Sequence, residues 1–184
     1  TVDGVKWIRL HYANPDGVSD ELISLLASQE KIVKYLDIPI QHISDKVLSR
    51  MNRHYDGDFV RNIINKVRSR VPGVALRTSI IVGHPGEGAA EFEELCEFLR
   101  EAKIERAGVF KFSPQENTLA AAMGDTVPEE IIARRAEKVR EIQYEIMDEY
   151  GEKQKDKNVT VLCEGFDEIT ELWYGRSFAD SPDV

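Results

Sequence analysis

Residues 74–99 read VALRTSIIVGHPGEGAAEFEELCEFL, and this stretch decides the fold. Its first part, Val74 to Val82, ends in an uninterrupted apolar run, which is typical of a strand buried on both faces of a parallel sheet. The glycine-rich residues 83–88 follow as a loop. Apolar residues then recur at helical spacing, at Phe92, Leu95, Cys96 and Leu99. The stretch therefore predicts a strand, a loop and an amphipathic helix.

The same alternation continues on both sides of this unit. Strands are predicted near residues 5–10, 35–40 and 107–112, with helices between them. The clearest helix, over residues 60–71, shows a single apolar stripe and is stopped by Pro72-Gly73. Alternating strands and helices indicate βαβ units, so the predicted fold class is α/β with a parallel sheet.

The last third of the chain has a different pattern. A long helix is predicted from Val127-Pro128 onwards. Residues 159–162 and 172–175 then read as two strands of a separate all-β unit. Because two strands do not make a stable domain, this unit looks truncated. The chain is therefore predicted to divide into residues 1–125, 126–157 and 158–184.

Composition and charge exclude several kinds of protein. The 184 residues carry 24 Lys and Arg against 33 Asp and Glu, a net charge of −9, which argues against a chain that binds nucleic-acid backbones. No apolar run is long enough to cross a membrane, and residues 1–8 show no secretory leader. Cys96 and Cys163 are the only cysteines and form no C-x-x-C pair. A disulfide framework and a site built from several cysteines are therefore excluded, and a cytoplasmic protein is expected.

Ligands of parallel α/β sheets bind beyond the carboxyl ends of the strands, so the loops at those ends form the candidate site. Gln41 and Ser44 follow the second strand and offer hydrogen-bonding groups, although Ser44 equally fits a helix N-cap. Gly83 and Gly86 allow the backbone to approach a ligand, and Glu87 adds a carboxylate. The alternative interpretation of this loop is a tight turn with a glutamate in the first turn of the helix.

Two arginines, the histidines and the cysteines complete the candidates. Arg53 follows a short helix and fits either a ligand phosphate or carboxylate, or the dipole of the helix C-terminus. Arg77 lies within a predicted strand, where it needs a polar partner if it faces the interior. The four histidines show no metal-ligand spacing, and we expect no metal site. Cys96 is expected in the core, and Cys163 is expected to be structural at the end of a strand.

Several stretches of the sequence resemble the radical S-adenosylmethionine methylthiotransferases. They follow the order expected in that family and cover nearly the whole chain: residues 35–45 (YLDIPIQHISD), 51–53 (MNR), 77–87 (RTSIIVGHPGE), 109–120 (VFKFSPQENTLA) and 175–182 (GRSFADSP). The last stretch is similar to the opening of the family's C-terminal TRAM domain.

The resemblance implies a partial TIM-like radical-SAM barrel, followed by the start of a small all-β TRAM domain in residues 158–184. It implies that the strand ends bind S-adenosylmethionine, which a [4Fe-4S] cluster cleaves to a radical that takes a hydrogen atom from the substrate. Gln41 and Ser44 would lie near the ribose or methionine part, and Phe112 would flank the adenine. The full set of implied cofactor-binding residues is Gln41, Ser44, Arg53, Arg77, Gly83, Pro85, Glu87 and Phe112. No residue of this chain is implied as catalytic or as a metal ligand.

Two branches of the family compete as interpretations. The RimO-like branch methylthiolates an aspartate of a small-subunit ribosomal protein, and the MiaB-like branch modifies a tRNA adenosine. Residues 35–39 and 175–182 look like the first branch, and the acidic charge suits a basic protein partner rather than nucleic acid. We therefore expect a ribosomal protein as substrate of the complete enzyme. The remaining alternative is a non-catalytic α/β module that binds a ligand or a partner.

The chain also departs from the family. The cysteine motif C-x-x-x-C-x-x-C is absent, and His84 and Gly88 stand where the family usually has Phe and Thr. Because the motif normally precedes the second barrel strand, the resemblance implies that this chain is a fragment of a longer enzyme. We expect the chain alone to hold no cluster and to be catalytically inactive.

Overall fold

A parallel four-stranded sheet organises the first part of the chain. In the computed structural model, which describes residues 3–181, the sheet order is β1 (Ile8–Leu10), β2 (Ile32–Asp37), β3 (Ala75–Val82) and β4 (Arg106–Lys111). Each neighbouring pair of strands is parallel. The predicted α/β class is confirmed, although β1 begins at Ile8 rather than at residue 5.

Helices connect the strands and cover one face of the sheet: α1 (Asp20–Ser28), α2 (Asp45–Arg50), α3 (Gly57–Arg70), α4 (Ala89–Ala102) and α5 (Glu129–Gln154). Ser19 caps α1 as its Oγ accepts the N–H of Leu22 at 3.2 Å. α3 ends just before Pro72-Gly73, as predicted. The apolar stripes of these helices pack on the sheet and form the main core. Cys96 of α4 is buried in this core, as predicted, and burial raises the pKa of its thiol to about 11.

β3 is buried along its whole length on one face but only at Ala75 on the other, which corrects the expectation of a strand buried on both faces. Residues 76, 78, 80 and 82 lie under the helices, whereas residues 77, 79 and 81 are half-exposed on the opposite face. We call this opposite face the inner face of the sheet. Helices cover only the outer face, so the apolar run of the sequence does not by itself decide how much of each face is buried.

A second, antiparallel sheet follows α5. It contains β5 (Val161–Asp167) and β6 (Leu172–Ser177), so both strands extend beyond their predicted ends. Cys163 lies inside β5 and is exposed, which corrects the prediction of a structural cysteine at a strand end. Several large apolar side chains of this sheet are exposed, including Leu172, Trp173 and Tyr174.

The residues after β6 return to the first sheet. Ala179 is 2% exposed and packs with Val33, Tyr35 and Ala75 in a small core on the inner face. Arg9 of β1 donates to the carbonyl oxygen of Phe178 at 2.5 Å. We call residues 178–181 the return segment. Residues 1–2 and 182–184, including the end of the predicted TRAM unit, lie outside the described residues.

Within residues 3–181, no helix combines the length and the apolar composition that crossing a bilayer requires.

Candidate functional site

The chain segment after β2 is bound to β3 over several residues. The N–H of Gln41 donates to the carbonyl of Ser79 at 2.9 Å, and the Gln41 carbonyl accepts the N–H of Ile81 at 2.9 Å. On the outer side, the Thr78 hydroxyl donates to the carbonyl of Ile38 at 2.8 Å. Gln41 has a φ of 68°, a left-handed conformation that is uncommon outside glycine. Its half-buried side chain is thus held at the carboxyl edge by the backbone on either side.

Glu87 folds back from the β3–α4 loop onto the end of β3. Its Oε2 accepts the N–H of Gly83 at 2.9 Å, and its Oε1 lies 2.6 Å from Nη1 of Arg135 in α5. The same Nη1 donates to the Glu87 carbonyl at 2.8 Å. Glu87 lies before the first turn of α4, which corrects the alternative that it is a first-turn glutamate. Its carboxylate therefore links the loop to α5.

His42 joins this carboxylate from the β2–α2 loop. Its Nδ1 accepts the N–H of Ser44 at 3.0 Å, so the proton of the neutral imidazole belongs on Nε2. Nε2 lies 3.5 Å from Oε2 of Glu87, and both side chains are fully buried. Ser44 occupies the N-cap position of α2, but its side chain makes no capping hydrogen bond. We call His42, Glu87 and Arg135 the edge triad, because they tie two loops and α5 together.

The two glycines of the loop face protein rather than open space. Both have a positive φ, 83° at Gly83 and 88° at Gly86. A Cβ at Gly83 would approach Cγ1 of Ile132 to 2.4 Å, and a Cβ at Gly86 would approach Nε of Arg50 to 2.4 Å. The space beside each missing Cβ is filled by a side chain, Ile132 at Gly83 and Arg50 at Gly86. They therefore allow close packing of the loop against α5 and α2.

Arg50 is the last residue of α2 and lies beside this loop, and Arg53 follows it by three positions. Arg50 donates from Nε to the carbonyl of Pro85 at 2.9 Å and pairs with Asp125. Arg53 follows Asn52, whose φ is 55°, and its Nε is buried with no hydrogen-bond partner in residues 3–181. The Tyr55 hydroxyl is also buried and unpartnered within the same range, and burial raises its pKa. These buried donors are suited to a ligand that brings acceptor atoms.

Phe112 lies directly after β4 and is half-exposed. Its N–H donates to the carbonyl of Val82 at 2.8 Å, which places it next to the β3–α4 loop. Its ring contacts the ring of His84 edge-on, with 5.1 Å between the centroids. Burial lowers the pKa of His84, whose Nδ1 lies 3.0 Å from the carbonyl oxygen of Pro85. The two rings thus form an aromatic corner at the carboxyl edge.

Arg77 is separate from the other candidate residues. It lies on the inner face and its Nη1 contacts Oδ2 of Asp37, its register partner on β2, at 3.0 Å. Nε of Arg77 and Oδ1 of Asp37 are both buried without a hydrogen-bond partner in the described part of the chain. The expectation that an inward-facing Arg77 needs a polar partner is confirmed.

The structure therefore brings most of the predicted residues together at one edge. Six of them form one continuous set through the edge triad and the aromatic corner: Gln41, Ser44, Gly83, Pro85, Glu87 and Phe112. Sequence reasoning missed Asp37, Arg50 and Arg135. Arg135 follows Ile132 by three positions on α5, so an arginine beside a buried apolar stripe was the available signal.

The chain offers an incomplete set of groups for a metal centre. Among residues 3–181, no three His, Cys, Asp or Glu side chains are grouped so as to hold a metal ion. Cys96 is buried in the core and Cys163 is exposed on the second sheet, so the two thiols do not form a shared site. These residues do not fit an iron–sulfur cluster, which requires several thiolates.

Comparison with known proteins gives a family and relatives. Residues 4–99, just over half of the chain, match the Radical SAM superfamily. The chain is 45% identical over all 184 residues to the ribosomal protein uS12 methylthiotransferase RimO of Anaeromyxobacter sp. (strain Fw109-5) and covers 39% of it. It is also 45% identical over 184 residues to the RimO of Geotalea uraniireducens (strain Rf4), of which it covers 41%. The chain thus spans about two fifths of the length of these curated relatives.

One solved structure extends the comparison to the fold. Coproporphyrinogen III oxidase (HemN) from Escherichia coli, a radical SAM enzyme, matches with a TM-score of 0.56 at 16% identity. The match covers 84% of this chain and 33% of HemN. At this identity the likeness concerns the fold alone.

Proposed function

The chain belongs to the radical SAM superfamily, and from that membership we propose that it is the S-adenosylmethionine-binding and substrate-facing part of a ribosomal protein methylthiotransferase. The observation that carries the proposal is the 45% identity to RimO proteins along all 184 residues. The complete enzyme would attach a methylthio group to an aspartate of the small-subunit ribosomal protein uS12.

We propose that the carboxyl edge of the sheet holds the cofactor. When bound, S-adenosylmethionine supplies the radical that removes a hydrogen atom and the methyl group that is transferred. The buried, unpartnered Nε of Arg53 suits the carboxylate of the methionine part, because guanidinium and carboxylate form charge-assisted hydrogen bonds. Gln41 and Ser44 would lie near the ribose, and residues 83–87 with Phe112 would lie beside the adenine. The edge triad would hold these loops in place.

In this proposal, the [4Fe-4S] cluster is bound by residues of the complete enzyme that are not in this chain. The two cysteines of this chain do not fit a [4Fe-4S] cluster, because they lie in separate parts of the fold. We propose that the complete enzyme supplies those ligands and that this chain alone is inactive. Residues 1–125 would then be the later part of the barrel, residues 126–157 a connecting helix, and residues 158–184 the start of a TRAM domain.

The partner we favour is a basic protein. The net charge of −9 favours a cationic ribosomal protein over tRNA, since nucleic-acid binding depends on Lys and Arg contacts to phosphates. A ribosomal protein substrate also implies action in the cytoplasm, away from membranes.

Calorimetric titration of this chain with S-adenosylmethionine tests the cofactor part. We expect saturable binding that Arg53→Gln weakens on the order of tenfold, since a hydrogen bond to a charged group contributes about 1.5 kcal/mol or more. Arg61→Gln is the matched control, because Arg61 pairs with Glu101 on the outer surface. Equal binding by the two variants would remove Arg53 from the site, and no binding by the wild-type chain would refute the cofactor proposal.

Capture of purified uS12 and of tRNA on the immobilised chain tests the partner. We expect uS12 to be retained and tRNA to pass through at physiological salt. Retention of tRNA in preference to uS12 would favour the tRNA-modifying branch. Binding of S-adenosylmethionine with neither macromolecule would favour a ligand-binding module.

A further inference from the structure

We propose that Arg77, oriented by Asp37 on the inner face, is a carboxylate-binding residue that receives the acidic side chain of the substrate. This inference rests on the proposed function and adds to it the residue that recognises the reacting side chain. Arg77 would be a specificity-determining residue, and Asp37 a positioning residue that acts through it.

The pair has hydrogen-bonding capacity left over. Oδ2 of Asp37 accepts from Nη1 of Arg77 at 3.0 Å and from the N–H of Tyr12 at 3.3 Å. Nδ1 of His11 lies 3.7 Å from the same oxygen. The guanidinium has five N–H donors, and its Nε has no hydrogen-bond partner among the described residues. The geometry therefore fixes the guanidinium and leaves donors to spare.

Only the cationic member of the pair can be reached from outside. The Asp37 side chain is fully buried, whereas 11% of the Arg77 side chain is exposed on the inner face. A ligand that enters from this face therefore meets the cationic Arg77 side chain and not the Asp37 carboxylate, which favours a ligand with acceptor atoms. His11, with 32% of its side chain exposed, adds a second basic group beside the entrance.

The position of the pair suits a substrate. The N–H of Ala13 donates to the Asp37 carbonyl at 2.8 Å, so the end of β1 lies level with Asp37. Asp37 is the last residue of β2, whereas Arg77 is the third residue of β3 and pairs in register with Arg106, the first residue of β4. The pair therefore lies on the inner face, several residues before the loop at residues 83–87. On the other side, a Cβ at Gly108 would stand 3.9 Å from Nη2 of Arg77 and 3.1 Å from the ring of Phe110, so this glycine lets the guanidinium and the Phe110 ring lie close to β4.

The chemistry favours a carboxylate over a phosphate. A planar carboxylate matches two N–H donors of a guanidinium fork. Asp37 already compensates the charge of Arg77 at 3.0 Å, so a doubly charged phosphate would meet more repulsion than a singly charged carboxylate. The side chain of a substrate aspartate has the required shape and charge.

Arginine-selective ¹⁵N NMR of the wild-type chain tests this directly. The Nε–H signal of Arg77 would be followed while blocked aspartate, blocked asparagine or inorganic phosphate is added. We expect a saturable shift with blocked aspartate, in roughly the millimolar range typical of a single charged contact, and no matching shift with the other two. Arg77→Lys should weaken aspartate binding at least fivefold, whereas Arg106→Lys, which alters an inner-face arginine paired with Asp180, should not.

An equal response to aspartate and asparagine, or a stronger response to phosphate, would overturn the inference. So would an unmoved Arg77 signal in a chain that still binds S-adenosylmethionine and uS12, and in that case the proposed function would stand. Conversely, a response to aspartate in a chain that binds neither would support the carboxylate site while the proposed function fails. The wild-type titration decides the question even if a variant does not fold.

Discussion

Glu87 is the residue on which the carboxyl edge depends most. Its carboxylate is fully buried and contacts the end of its own strand, a histidine of the neighbouring loop and an arginine of α5. A buried ion pair contributes little net stability when complete, but it is costly to break, because the remaining charge stays buried without a partner. Arg135, with 11% of its side chain exposed, would be left in that condition.

We therefore predict that Glu87→Gln lowers the free energy of unfolding by about 3 kcal/mol. Urea denaturation followed by circular dichroism measures this change. Glu141→Gln is the matched control, since Glu141 pairs with Lys138 on the surface and should change stability by less than about 1 kcal/mol. If the two variants were equally stable, the edge triad would not be an important stabilising contact.

His84 makes the stability of the chain sensitive to acid. Burial lowers its pKa below the ordinary value of 6.5, so as the pH falls through 6.5 the unfolded chain binds a proton before the folded chain does. The contribution of His84 to the free energy of unfolding is therefore fully present above about pH 6.5 and declines as the pH falls below that value. We predict that His84→Phe makes the loss of stability between pH 7.5 and pH 5.5 smaller.

Urea denaturation at three pH values provides the test for His84. His54→Gln is the control, because His54 is exposed and should leave the pH dependence as it is in the wild type. A wild-type slope in His84→Phe would show that the buried imidazole does not titrate as described.

At the scale of single residues, patterns among sequence neighbours predicted local roles well, but they did not predict contacts between residues far apart in the sequence. The burial of Cys96 was predicted because helical periodicity depends on neighbours in sequence. The contact between Glu87 and Arg135 joins residues 48 positions apart, and nothing in either local sequence specifies the other. The predicted role of Arg77 in cofactor binding stays untested, and its pairing with Asp37 became visible only in the register of the strands.

Among the elements, the connection from β3 to α4 shows how a loop is held by the helix above it. Gly83 combines a left-handed backbone with contact against Ile132 of α5. Gly73 has a similar φ of 78° but nothing within 4 Å of the position of its missing Cβ. A comparison of alanine substitutions at the two glycines therefore separates the energetic cost of a side chain in the left-handed conformation from the cost of a steric clash.

We predict that Gly83→Ala destabilises the chain by about 1–3 kcal/mol more than Gly73→Ala. Both variants carry the backbone penalty, and only the first forces a methyl group into Ile132. Thermal or urea unfolding of the two variants gives the difference. Trimming Ile132 to Ala in the Gly83→Ala background should recover part of the excess, and no recovery would count against crowding as its cause.

The order of strands and helices was predictable because each element carries its own periodicity. The burial of β3 was not predictable. The sequence shows which residues are apolar, but it does not show which elements pack against each face of the sheet. The same reason explains Cys163, whose strand is paired with β6 but exposed. Strand ends were uncertain by a few residues, as in β1 and β5, where hydrogen bonding with the partner strand decides where pairing stops.

On the scale of the whole molecule, the return segment joins the second sheet to the inner face of the first. Ala179 is buried there, and Arg106 contacts Asp180 at 2.9 Å. The contact is small and apolar at its centre, with ion pairs and backbone hydrogen bonds at its margin. A charge placed at the centre should separate the two sheets without unfolding the first.

We predict that Ala179→Glu releases the second sheet from the first, so that the exposed connection between α5 and β5 is cleaved near residues 155–160 at least tenfold faster. A tenfold change corresponds to about 1.4 kcal/mol of weakened docking. Limited trypsin digestion followed by mass spectrometry measures the rate and the site. Ile169→Glu, at a position 94% exposed, is the control and should be cleaved like the wild type.

The hydrogen bond between Arg9 and Phe178 joins residues that leave the ribosome at very different times. The two residues are 169 positions apart, so at ordinary rates of translation one follows the other out of the ribosome by about 10–30 s. Throughout that interval the inner face of the first three strands has no return segment to cover Val33, Tyr35 and Ala75. The nascent chain therefore exposes this apolar surface to chaperones until residues 178–181 have been synthesised.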